Sequence, residues 1–213
     1  MKYKIISFLT IFLLIFNFLI FSNSYTKKFS EKQYSEGIIK NNKEIKQAYK
    51  KYLETIISNR LKDNERNKFI RLSIMAFDKL LGQIEKGDID SIDIGYLYIL
   101  LSDGADTEDL CQSLGKLVEI NTELFFKKVE IMYKKFNSKK DIDILYSCML
   151  AALGYEYVDD FKKQQDKLKQ RLEILKKYKK KQEHQEHIDI INKGIKFLED
   201  EIKELNNIIK DIE

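Results

Sequence analysis

Proline is absent from all 213 residues, and glycine occurs only eight times. Average proline usage of about 5% would place roughly ten in a chain of this length. Proline interrupts helix interiors and marks the turns of all-β folds. A chain lacking it, with 34% charged residues, reads as nearly all helix. Arginine is almost as scarce: Arg60, Arg66, Arg71 and Arg171 are the only ones among 38 basic residues. Guanidinium forks are the usual readers of phosphates and base edges, so a nucleic-acid partner is not expected. The sequence has no phosphate-binding glycine loop, no Gly-x-Ser-x-Gly and no cysteine pair at metal spacing. No catalytic residue, metal or cofactor is expected.

The charge balance excludes less than it first suggests. The formal net charge is +4, and Lys2 and Lys4 supply half of it. Elsewhere lysine is interspersed with glutamate and aspartate.

The strongest positive signal lies in residues 1–24. Lys2 and Lys4 precede an uncharged apolar run from Ile5 to Phe21, and Ser22-Asn23-Ser24 follows it. A positive start, an apolar stretch and small residues beyond it have the order of a secretory signal peptide, with cleavage expected after Ser24. The alternative is an uncleaved membrane anchor. The run from 5 to 21 is at the short end of the roughly 17–25 residues that span a bilayer. Membrane contact is then expected only through residues 5–21. A lipoprotein signal is excluded for this numbering, because the cysteines are Cys111 and Cys148.

Beyond the leader, about 190 residues suffice for one domain with a real core. Residues 25–43 are polar and weakly patterned and read as a flexible linker. Residues 44–157 read as a helical body. Ile45, Ala48, Tyr49, Tyr52, Leu53, Ile56 and Ile57 make one apolar helical stripe. A second helix is expected from a cap at Asp63 or Asn64 to about Lys86, with Phe69, Ile70, Ile74, Phe77, Leu80, Leu81 and Ile84 inward. Ile94–Leu101 is too short for periodicity to separate helix from strand. It reads as a buried helix, because a lone strand has no partner elsewhere in the chain. Further caps are expected at Asp106 or Thr107 and at Asn121-Thr122-Glu123. Ile142, Leu145, Cys148, Met149 and Ala152 stripe the last helix of the body. The fold class is all-α, either an irregular helical bundle or a short helix-pair solenoid. No repeat of fixed period appears.

Residues 158–213 read as a coiled-coil arm. Ile188, Ile191, Ile195, Leu198, Ile202, Leu205, Ile209 and Ile212 alternate spacings of three and four, a strict a/d seam. Val158, Phe161, Leu168, Leu172 and Leu175 form a weaker seam before it. The two are out of phase across residues 179–187, which points to a C-terminal antiparallel hairpin rather than one continuous helix. The seam packs either within the chain or across a homo-oligomer.

Other constellations have ordinary structural readings. Cys111 and Cys148 lie on apolar helix faces and are a possible disulfide in an exported chain. His184 and His187 are three apart, whereas a zinc-protease helix needs four and a third ligand. Asp88, Asp90, Asp93, Asp103, Asp106, Glu108 and Asp109 surround two turns but do not match a calcium loop; helix caps and first-turn acids account for most of them. Lys176, Lys177, Lys179, Lys180 and Lys181 read as a solvated helix end, with anionic lipid or polymer as the functional alternative. The functional expectation is an exported, non-enzymatic interaction or scaffold protein of the cell envelope with an unknown protein partner. A membrane-anchored spacer and an envelope-polymer enzyme with an unfamiliar all-α site are the alternatives.

Overall fold

A computed structural model describes residues 29–58, 72–135, 139–157, 159–182 and 185–212. Among them there is helix and turn and no strand. The helices are α1 (Glu31–Ile39), α2 (Lys43–Ser58), α3 (Ile74–Glu85), α4 (Ile89–Tyr98), α5 (Gly104–Gly115), α6 (Leu117–Ile120), α7 (Thr122–Lys135), α8 (Lys139–Ala151), α9 (Phe161–Lys179) and α10 (Gln185–Ile212). A 3₁₀ turn, Tyr155–Tyr157, precedes α9. The leader lies outside the described residues, as do Asp63, Asn64, Phe69, Ile70, Val158 and His184.

Short polar side chains start several of these helices by satisfying their free N–H groups. Ser30 and Gln33 form a reciprocal capping box on α1. Asp88 Oδ1 accepts from the Ser91 N–H at 2.9 Å to start α4. Asn121 Oδ1 accepts from the Leu124 N–H at 3.0 Å to start α7. Asp160 does the same for α9 through the Lys163 N–H. Each such cap contributes on the order of 1 kcal/mol.

The helices stack in sequence order. α1 and α2 pack on each other, α1 also packs on α3, and α2 packs on α4. α3 and α4 in turn meet α5, and α4 also meets α7. α5, α7 and α8 form the next layer, and the C-terminal pair closes the stack against α6, α7 and α8. One apolar core runs through all layers, from Ile38 and Leu53 through Ile84, Ile92 and Leu114 to Leu175 and Leu198. α4 is packed by α2, α3, α5 and α7. That surrounds it and explains why its apolar residues show no single stripe: Ile92, Ile94, Tyr96 and Tyr98 are all buried.

α9 and α10 form an antiparallel hairpin, the most extensive helix pairing among the described residues. Its register is fixed by Gln165 to Asn206 at 2.6 Å, Lys176 to Glu199 at 2.9 Å and Tyr178 to His187 at 3.3 Å. The partner number falls as the α9 number rises. The hairpin does not stand apart from the body: α8 and α7 pack on α10, and α6 packs on α9.

Several local expectations are revised. Residues 25–43 are not all linker, because α1 occupies 31–39 and buries Tyr34 and Ile38. α5 begins at Gly104 behind Asp103, not at Asp106 or Thr107. α8 buries Tyr146 and Leu150, while Leu145 and Ala152 are only half-buried. Its stripe is thus rotated by about one residue, because α5 and α10 approach it from two sides. Phe161 is 36% exposed rather than a seam residue.

Candidate functional site

The chemistry-bearing residues that the sequence singles out converge where the hairpin meets the body. Cys111 of α5 and Cys148 of α8 are joined, with Cα atoms 5.7 Å apart. That spacing lies within the range that disulfides span. One turn further along α5, Gly115 lies against the Met149 carbonyl, where a Cβ would overlap the backbone oxygen. The two helices therefore approach closely just beyond the sulfur bridge.

Arg171 of α9 completes this junction. Its side chain is 2% exposed. Nη1 donates to the Leu150 carbonyl at 2.7 Å and the Ala152 carbonyl at 3.0 Å, with Met149 at 3.3 Å. The Met149 and Leu150 carbonyls lie in the last turn of α8 and that of Ala152 just beyond it, so the guanidinium is a cap at the negative end of the helix dipole. Nε donates to Glu119 at 3.0 Å, and Lys167 reaches the other carboxylate oxygen at 2.5 Å. Burial pulls the Arg171 pKa below its ordinary value while Glu119 opposes that pull. Burial likewise raises the Glu119 carboxyl, but Lys167 and Arg171 outweigh it and hold it low. Four elements, α5, α6, α8 and α9, are locked at this point.

On the other face of α8, the Tyr146 hydroxyl donates to the Ile190 carbonyl at 3.2 Å. Of the seam residues, Ile191, Leu198, Ile202 and Leu205 are buried. Ile188, Ile195 and Ile209 are half-buried, and Ile212 is 67% exposed. The periodic face is thus used within the chain for most of its length and emerges into solvent at its C-terminal end.

His187 sits beside the hairpin bend, near the start of α10. Its Nδ1 is 3.3 Å from Glu130 Oε2, and its ring lies beside Phe126 and Tyr178. No cluster of metal-ligating side chains occurs among the described residues. Of the acidic residues around the two turns, Asp88, Asp93 and Asp106 are engaged by structural partners. Asp93 takes both Lys50 and Lys128. Asp88 takes Lys46, which is 1% exposed and also donates to Asn41. Tyr98 donates to Asp106. Lys46, Gln83 and Arg171 are buried polar residues that apolar periodicity had no means of marking. A shallow groove of about 190 Å³ beside α1 is lined by Phe29, Glu36, Lys40 and Ile45 among others. It is smaller than the roughly 300–1,000 Å³ of typical small-molecule sites.

The arrangement clamps helices together and directs its ionisable groups at one another rather than at a shared open point. No helix among the described residues is long and apolar enough to cross a membrane. The chain matches no family model, no curated protein and no solved structure.

Proposed function

We propose that this chain is an exported, non-enzymatic helical interaction protein of the cell envelope. The observation that carries the reading is the Cys111–Cys148 pair, joined across two helices of the body. Lasting disulfides belong to oxidising compartments and are rare in the cytosol. The leader pattern of Lys2, Lys4 and the run from 5 to 21 independently supports the same compartment. The interaction role is supported by the commitment of Asp88, Asp93, Glu119 and Arg171 to holding helices together. The stacked helices leave their outer faces for partners. In this reading the C-terminal hairpin is a coiled-coil element whose free end, with Phe161, Ile208 and Ile212 exposed, belongs to the recognition surface.

Fractionation of the producing cell tests the proposal. The protein is expected in the periplasm or medium and to show one disulfide when its thiols are blocked before lysis. Recovery from the cytosol with two free thiols overturns it.

A further inference from the structure

Five of the six residues 176–181 are lysine. They occupy the last turn of α9 and the bend that leads to α10. At about 100° per residue, Lys176, Lys177, Lys180 and Lys181 fall within an arc of roughly 140°. Tyr178 points the other way and stacks on Phe126 with ring centroids 5.1 Å apart and planes 7° from parallel. The bend is held by the Lys181 N–H to the Tyr178 carbonyl and the Gln182 N–H to the Lys179 carbonyl, each at 3.0 Å. The lysines are therefore displayed on a fixed platform.

The helix dipole favours cations at this end, which accounts for some lysine here but does not neutralise it. Lys176 pairs with Glu199. Lys177, Lys180 and Lys181 are exposed, and none has a carboxylate partner among the described residues. On α7, Glu130 holds Lys134 and His187, and the charge of Glu123 bears on Tyr178 from a distance. In sequence, Glu183 and Glu186 follow, leaving the stretch 176–186 with five lysines against two glutamates.

We infer that this hairpin bend is a docking site for an anionic phospholipid surface. Lysine meets phosphate as a mobile point charge rather than a directional fork. A cluster of exposed lysines at one bend suits a charged plane of headgroups. Clusters of four to eight basic residues behave this way, each contributing about fivefold to partitioning near the surface. The inference does not depend on export, since it concerns the folded hairpin alone.

The test is sedimentation of the full chain with vesicles of phosphatidylcholine alone or mixed with phosphatidylglycerol, at low salt. A retained leader, with Lys2 and Lys4, contributes equally in every variant, so the change in the ratio of partition coefficients between variants reads the bend. The wild type is expected to favour anionic vesicles. The triple substitution Lys177→Gln, Lys180→Gln, Lys181→Gln is expected to cut that preference on the order of 100-fold, with helicity unchanged. Substituting the exposed Lys32, Lys40 and Lys43 instead makes the same change in net charge and is expected to preserve most of the preference. An equal loss in both triples means only overall charge matters and overturns the site. No loss in the first triple also overturns it. Displacement by inorganic phosphate beyond chloride of matched ionic strength identifies a discrete phosphate ligand and overturns the surface reading.

Discussion

Gly194 of α10 lies directly over the Tyr146 hydroxyl of α8, so that a Cβ at 194 would overlap the phenol oxygen and come within 2.9 Å of Leu150 Cδ1. The absence of a side chain is what lets the hairpin reach the body and lets Tyr146 bond the Ile190 carbonyl one turn earlier. Gly194→Leu is therefore expected to force the helices apart. It should cost about 1–3 kcal/mol, the usual range for overpacking a filled site. Gly82 in α3 has nothing within 4 Å of its would-be Cβ. Gly82→Ala is expected to be neutral or to stabilise by up to about 1 kcal/mol through helix propensity. Urea unfolding of the two variants checks the contrast, and an equal effect in both would remove the close-approach argument.

Arg171 gives the second expectation. Arg171→Met leaves the α8 carbonyls uncapped and Glu119 without its buried partner, and should destabilise by about 3–5 kcal/mol. Glu119→Gln retains a hydrogen-bond acceptor for Arg171 and should cost less. A double-mutant cycle in urea measures the coupling of the pair. Additivity of the two losses would mean that the guanidinium acts on the carbonyls alone.

The Cys111–Cys148 bond closes a loop of 37 positions. On the chain-entropy model its removal costs about 3–4 kcal/mol. The paired Cys111→Ser, Cys148→Ser variant should lose that amount in urea. Adding reductant should lower the wild type to a similar midpoint and leave the variant unmoved.

Acid should weaken the ion pairs in a defined direction. Burial raises the Asp93 carboxyl, but hydrogen bonds and charge from Lys128 and Lys50 prevail and hold it below its ordinary 3.8. A carboxylate depressed by folding contributes stability above its unfolded pKa and loses it as pH falls through the folded value. Asp93→Asn should therefore be less stable than wild type at neutral pH, and the gap should narrow below about pH 4. Thermal melts from pH 7 to acid follow it. A constant gap would show that the charge of Asp93 is not what stabilises the pair.

The features legible in the sequence are those written as period. The seam from Ile188 to Leu205 marks the inner face of α10 because three- and four-residue spacing is a property of the helix itself. The phase break before it falls where α9 turns into α10. The helical reading of Ile94–Leu101 followed from the lack of any strand partner; it holds to Tyr98, beyond which residues 99–101 form a turn. α1 escaped notice because nine residues with two large buried side chains, Tyr34 and Ile38, make no stripe. Its order comes from the Ser30–Gln33 box and from α2 and α3 packing against it. Lys46, Gln83 and Arg171 escaped for a different reason. Whether a polar side chain is buried depends on which carbonyl or carboxylate the tertiary fold sets beside it, and local pattern carries no record of that. The cysteines are intermediate: their helix faces were readable, their 5.7 Å approach was not.

Compartment is the central claim, and intact mass spectrometry of the protein purified from its own cell tests it most directly. The expected mass begins at Tyr25 and is lighter than the reduced form by two hydrogens, reporting leader removal and the Cys111–Cys148 bond together. A chain retaining Met1 with both thiols free would contradict it.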